Sequence, residues 1–245
     1  FFILYVQTTS VWEAETGHCI QEFSFHSASV SCVEWMDNIT FASGSADKCI
    51  YVCKLGMKYN TPFKQFYGHT GEVNSIKWDP EGKLLASCSE DTTLKIWSMT
   101  EDVVLNLYGH DKGVCRLAWS PTGPGSPNPN KNRMLASISN DSRIRLWDIH
   151  QNTCFHILFV QTDEISSMEF SPDGKLLAAA SSKTLQIWST QDWQIVFNFE
   201  ADSNFCFISW NLRGYLLAAT SLNGNVFVLD TRTLSLVKDS TLSTN

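Results

Sequence analysis

Long apolar runs, paired cysteines and a surplus of basic residues are all missing from this 245-residue sequence. The opening Phe1-Phe2-Ile3-Leu4-Tyr5-Val6 is far shorter than the roughly 20 residues a membrane helix needs, and no basic leader accompanies it. No membrane partner is therefore expected. Lys and Arg number 18 against 25 Asp and Glu, a net charge of -7. A dedicated nucleic-acid binder carries the opposite sign, so basic protein partners are favoured instead.

Eight cysteines (19, 32, 49, 53, 88, 115, 154 and 206) include no Cys-x-x-Cys pair, and no His stands at finger spacing. That excludes a zinc site and points to buried free thiols in a reducing compartment. Asn38-Ile39-Thr40 and Asn140-Asp141-Ser142 match glycosylation triplets, which mean little without a secretory signal. No Gly-x-Ser-x-Gly elbow occurs, and the glycines at 123–125 lack the Lys of a phosphate loop. No catalytic, cofactor or metal residue is expected. His18, His150 and His156 read as surface or packing residues, and Lys175 and Lys183 as solvated loop charges. The first residue is not Met, which implies sequence upstream.

What is present is repetition. The triplets Ser10-Val11-Trp12, Tyr51-Val52-Cys53, Lys95-Ile96-Trp97, Arg145-Leu146-Trp147, Gln186-Ile187-Trp188 and Phe227-Val228-Leu229 end 41, 44, 50, 41 and 41 residues apart. WD repeats run about 40–45 residues. The interval of 44 takes a short insertion near Met57–Asn60, and that of 50 the Pro/Gly/Asn-rich loop 121–130. Loops absorb such insertions at little entropic cost. Nine Trp and fifteen Phe fit aromatic-rich repeated β-structure. In the third unit, Asp79-Pro80-Glu81-Gly82 and Glu90-Asp91-Thr92 read as turns between strands 73–78, 84–88 and 94–97, with a fourth strand at 103–108.

The fold class predicted is an all-β WD-repeat β-propeller occupying 1–245 as one domain. Six blades are visible, at about 1–25, 26–67, 68–109, 110–159, 160–200 and 201–245. The first is incomplete, with strands expected at 1–6, 9–12 and 19–25 and its innermost strand missing. That implies a larger ring.

His69, Ser87, Asp91 and Trp97 have the spacing of a hydrogen-bonded tetrad inside a blade, and His110, Ser137, Asp141 and Trp147 repeat it. His26, Ser43 and Asp47 keep three members, with Cys53 in place of Trp. A Ser/His/Asp set suggests a hydrolase, but a triad occurs once whereas this set recurs with the structural period. The fifth blade has Gln161 at the His position and Ala178–Ala180 in its middle strand, and the sixth has Ala201, Asn223 and Leu229. These two are expected to be the least rigid.

Residues three and five after each His position, and the one before each turn Asp, should point to the face where propeller partners dock. These candidates are Ser29, Ser31, Glu72, Asn74, Glu90, Gly113, Cys115, Asn140, Glu164, Ser166 and Asn204, with Ala46, Cys206 and Leu222 in the same register. Glu72, Glu90 and Glu164 make the set locally acidic, which suits a basic or polar peptide.

The wording of several stretches then resembles the transducin beta-like 1 family. They are Trp119-Ser120-Pro121-Thr122-Gly123-Pro124-Gly125 through Asn128-Pro129-Asn130 to Met134-Leu135-Ala136-Ser137, Ile76-Lys77-Trp78-Asp79-Pro80, and Cys49-Ile50-Tyr51-Val52-Cys53-Lys54-Leu55-Gly56. The resemblance implies a non-catalytic nuclear scaffold of histone-deacetylase corepressor complexes. Its implied partners are corepressor subunits, the deacetylase, histone tails and transcription factors. It also implies an eight-bladed ring and an N-terminal oligomerisation region, the latter absent from this chain. A second possibility is the substrate-recognition propeller of a ubiquitin ligase. That would call for an Arg-lined face for phosphorylated peptides, and no Arg falls among the candidates.

Overall fold

A run such as Leu84-Leu85-Ala86-Ser87-Cys88-Ser89, apolar or small on both alternating faces, suits a strand covered on both sides. The computed structural model, which describes residues 7–57, 61–160 and 165–241, places it so: Leu85 through Ser89 are all buried. Twenty-two strands and no helix make up the described residues.

They fall into successive antiparallel meanders. The first blade contributes β1 (Thr9–Trp12) and β2 (Cys19–Phe23); its expected strand at 1–6 lies outside the described residues. The second holds β3 (Val30–Trp35), β4 (Thr40–Ser45), β5 (Ile50–Lys54) and β6 (Lys64–Phe66). The third holds β7 (Val73–Trp78), β8 (Leu84–Ser89), β9 (Leu94–Ser98) and β10 (Val104–Leu107). The fourth is β11 (Val114–Trp119), β12 (Met134–Ser139), β13 (Arg143–Asp148) and β14 (Thr153–Phe159). The fifth is β15 (Ile165–Phe170), β16 (Leu176–Ser181), β17 (Thr184–Ser189) and β18 (Ile195–Glu200). The sixth is β19 (Phe205–Trp210), β20 (Leu216–Ser221), β21 (Asn225–Asp230) and β22 (Ser235–Thr241). The fold class is all-β, of the WD-repeat propeller type. Two compact units, Phe1–Leu117 and Ala118–Asn245, divide the chain.

Turn chemistry explains the strand boundaries. Between the first two strands of a blade, Gly82 and Gly174 donate their N–H to Asp79 and Ser171 carbonyls (2.9 and 2.8 Å), both at φ +71°. Between the second and third, Lys48, Thr92 and Ser142 bond back to Ser45, Ser89 and Ser139, each itself in the left-handed region.

The inner strands of the second, third, fifth and sixth blades each bulge at one residue. Register slips between Val30 and Cys32, Val73 and Ser75, Ile165 and Ser167, and Phe205 and Phe207. The extra residues are Ser31, Asn74, Ser166 and Cys206, which stand five after each His position. Within the first unit their side chains reach the next blade: the Ser31 hydroxyl donates to the Val73 carbonyl, and the Asn74 amide to the Val114 carbonyl at 2.9 Å. At the other end of the inner strand the indole of Trp78 donates to the Glu34 carbonyl (3.2 Å), beside a Lys77–Glu34 ion pair. In the second unit Trp210 repeats this on the Glu169 carbonyl at 3.3 Å. Blades approach closely between these ties. A Cβ on Gly44 would lie 2.8 Å from both Cys32 Sγ and Val73 Cγ1.

All eight cysteines are free. Only Cys53 and Cys88 are buried, however; Cys19 is exposed and the rest are half-buried, because they alternate along strands whose two faces are unequally covered.

The fifth and sixth blades lack the tetrad and pack on apolar surface. Ala178, Ala180, Leu185 and Ile187 join Phe205, Phe227 and Leu229 in one buried cluster, against which Phe199 packs. Two buried polar atoms there lack a partner among the described residues, the Ser181 hydroxyl and the Gln186 amide oxygen. Gln186 is 4% exposed. Gln186→Met, of similar volume, should stabilise the chain by about 1 kcal/mol and raise Tm by about 2–4 °C. Thermal unfolding checks this; a lower Tm would show that the amide serves packing the structure does not explain.

Candidate functional site

The tetrads fix where the candidate residues sit. In the third blade the Trp97 indole donates to Ser87 Oγ (2.8 Å), Ser87 lies 2.7 Å from His69 Nε2, and His69 Nδ1 lies 2.8 Å from Asp91 Oδ2. A neutral His with its proton on Nδ1 completes the relay. Asp91 also accepts from the backbone N–H of Thr70 and Thr93 and from the Thr93 hydroxyl. One carboxylate thus joins the loop entering the blade to the turn between its second and third strands.

Protonation follows from this. Burial lowers the pKa of His69, against the pull of Asp91, and lowers that of His26 against Asp47. Burial pushes Asp91 up, but its donors Thr93, Thr70 and His69 outweigh it and hold the carboxyl at about 2. Ser87 is fully buried and its oxygen already receives the indole N–H, so the set ties the blade together and offers no nucleophile to a substrate.

The second blade repeats the arrangement with His26 2.9 Å from both Asp47 Oδ2 and Ser43 Oγ. Cys53, where Trp is absent, packs with Val11, Phe23 and Phe41, while the Tyr51 ring covers His26 at 4.6 Å between centroids. In the fourth blade Trp147 donates to Ser137 at 2.9 Å, and Arg143 N–H to Asp141 at 3.1 Å. His110 is buried.

Beside each turn Asp stands the residue that carries the exposed corner. Glu90 N–H donates to the Glu72 carbonyl (3.0 Å), as Ala46 does to Ser29 and Leu222 to Asn204. Asn74 holds the Glu90 carboxylate at 2.7 Å. Gly113 leaves room for it, since a Cβ there would come within 2.2 Å of Glu90 Oε2. Glu72, Asn74, Glu90 and Gly113 are therefore one connected acidic corner in the first unit, with Glu72 and Glu90 exposed. Cys115 adjoins it through a contact of its thiol with the Gly113 carbonyl at 3.8 Å. In the second unit Asn140 and Asn204 are exposed, and Ser166 turns its hydroxyl onto the Ala180 carbonyl at 3.1 Å. Glu164 lies outside the described residues. Ser31, Asn74 and Ser166 are thus engaged with backbone carbonyls. No group of three His, Cys, Asp or Glu is placed to hold a metal among the described residues.

The Trp ties at 78 and 210 were not singled out from sequence, although an aromatic at the end of each inner strand recurs as Trp35, Trp78, Trp119, Phe170 and Trp210. That recurrence was the available signal.

Below about pH 6.5 the unfolded chain protonates His26 and His69 while the folded chain resists. Their contribution to stability is complete above that pH and lost as pH falls; Asp91 adds a further loss as pH falls from 3.8 toward about 2. The urea midpoint should accordingly drop from pH 7.5 to pH 5, and less steeply in a His26→Gln/His69→Gln variant. Equal slopes in both proteins would contradict the assignment.

Comparison with known proteins agrees with this geometry. The sequence profile of the WD domain, G-beta repeat, matches residues 17–54, 60–98, 101–148 and 152–189. Mouse F-box-like/WD repeat-containing protein TBL1X is 49% identical over 228 residues, 92% of this chain. Human F-box-like/WD repeat-containing protein TBL1Y is 49% identical over 226 residues, 91% of this chain. The Arabidopsis thaliana WD40 repeat-containing protein HOS15 is 40% identical over 214 residues, 86% of this chain. The chain spans 43%, 43% and 35% of these three proteins, under half of each. The sixth blade, beyond the last profile match, has the same four-stranded meander as its neighbours. With four repeats matched over more than half of its length, the chain belongs to the WD domain, G-beta repeat family, and it bears out the resemblance to transducin beta-like 1 proteins.

Proposed function

We propose that this chain is a non-catalytic adaptor of a nuclear histone-deacetylase corepressor complex, and that its Glu72–Glu90 corner takes basic or polar peptides such as histone tails or segments of transcription regulators. The observation that carries the reading is the corner itself. The backbones of Glu72 and Glu90 are joined by a hydrogen bond, which sets their two exposed side chains side by side, and the Glu90 carboxylate is oriented by Asn74. Preorganised carboxylates lose little freedom on binding and steer cationic partners toward them. The identity to the TBL1 proteins supports the wider assignment. Against a ligase-type phosphopeptide pocket stands the corner's chemistry, since Glu, Asn, Glu and Gly offer a phosphate no guanidinium.

The test is titration of labelled histone-tail peptides by fluorescence anisotropy against the chain and a Glu72→Gln/Glu90→Gln variant. Gln preserves side-chain length and the contact at Gly113 while removing both charges. Affinity should fall at least tenfold, about 1.4 kcal/mol, and its salt dependence should flatten. Unchanged affinity and salt slope would overturn the assignment of the corner.

A further inference from the structure

The insertion at 121–130 is an ordered element within the second unit, and the charge around it is one-sided. From Ser120 to Arg133 the chain carries Lys131 and Arg133 and no Asp or Glu, although its net charge is -7. Gly123 N–H donates to the Asn128 carbonyl (3.0 Å). Asn128 donates its side-chain amide to the Pro121 carbonyl (2.9 Å) and to the Asp173 carbonyl of the next blade (3.1 Å). Ser126 closes the loop: its hydroxyl donates to the Gly123 carbonyl (2.6 Å) and accepts from Asn128 N–H (3.1 Å). Gly123 also meets Arg133, whose Cγ would lie 2.7 Å from a Cβ placed there. The Ser126 hydroxyl and the Arg133 side chain thus converge on one glycine.

Ser126 is followed directly by Pro127 and preceded two positions earlier by Pro124. Proline-directed protein kinases take Ser or Thr with Pro directly after it, and their mitogen-activated branch favours a further Pro two positions before. Three other Ser-Pro or Thr-Pro pairs occur, at Ser120, Ser171 and Thr61. Ser120 and Ser171 are 0% and 1% exposed just past their inner strands, which closes them to an enzyme. Thr61 is exposed but has Tyr59 where the second Pro belongs. Ser126 alone has both prolines, and Pro124, Gly125 and Pro127 around it are exposed. Its own side chain is half-buried, held by bonds within the loop, and the loop is tied to the next blade by Asn128. A few surface hydrogen bonds therefore separate the closed loop from one an enzyme can grip.

We propose that Ser126 is a phosphorylation site for a proline-directed protein kinase, and that Lys131 and Arg133 of the same segment receive the phosphate. In that step the γ-phosphoryl group of ATP passes to Ser126 Oγ, the hydroxyl proton goes to the catalytic Asp of the kinase, and ADP leaves. The product brings a charge of about -1.5 to -2 and three acceptor oxygens into a segment that holds two cations. Guanidinium and ammonium groups take phosphate through charge-assisted hydrogen bonds. The modification thereby exchanges the neutral Ser126–Gly123 bond for ionic ones close by.

The test incubates the whole folded chain with ATP and a purified mitogen-activated protein kinase, with site and rate read by mass spectrometry. One phosphate should enter at Ser126 and none at Ser120 or Ser171. Ser126→Ala should abolish the reaction, and Pro124→Ala should slow it at least fivefold. Asn128→Ala, which releases the tie to Asp173, should speed it at least threefold. Phosphorus-31 NMR should then show the phosphoserine titrating below its usual value of about 6, and the exposed substitution Lys131→Gln should move it back up. Absence of phosphate at Ser126, phosphate at Thr61 in its place, or a rate that Asn128→Ala does not raise would overturn the site. Titration at the usual value in both proteins would overturn the role of the two cations.

Discussion

The inner strand of every blade has a partner on one side only, and its remaining backbone carbonyls must find donors elsewhere. The structure meets that demand with side chains rather than with another strand. Ser31 and Asn74 stand at bulges and reach forward to Val73 and Val114, while Trp78 and Trp210 reach back to Glu34 and Glu169. Much else depends on these ties. They hold neighbouring sheets so close that the second strand takes Gly, Ala and Ser at its crossing points, as Gly44 does beside Cys32 and Val73. They also bury the middle of each sheet, where a His–Asp pair can be kept neutral on one side and ionised on the other.

Within that frame the tetrad is one means of joining the loop that enters a blade to the turn that follows its second strand. Where Trp is lacking in the second blade, Tyr51 covers His26 and Cys53 fills the space beside Phe23 and Phe41. Where the His is lacking, in the fifth and sixth blades, aromatic and alanine packing stands in its place. The backbone course is the same in each case because the turns and bulges are the same, and those depend on a few short polar residues and on left-handed positions.

Period, turn type and tetrad were legible from sequence because each is written within one repeat: the Trp-to-Trp spacing, Asp79-Pro80-Glu81-Gly82, and the His-to-Asp interval. The acidic corner followed by register, since Glu72 and Glu90 are placed by neighbours close in sequence. Less legible was what spans two repeats. Ser31 and Asn74 looked like free face residues until the carbonyl of the next blade was seen against them. The insertion at 121–130 looked like a tolerated loop, and only its fold brings the Ser126 hydroxyl and the Arg133 side chain to Gly123. That six of the eight cysteines stay exposed or half-buried also depended on contacts that local pattern does not encode.

A surface assembled from turns on a rigid, repeated frame suits binding, because the frame bears the cost of order before a partner arrives. The most direct measurement of that claim is affinity capture with the tagged chain from nuclear extract, read by quantitative mass spectrometry beside a full-length TBL1 relative. The account predicts recovery of a class I histone deacetylase with its corepressor by both proteins. Recovery by the relative alone, with this chain soluble and folded, would contradict it.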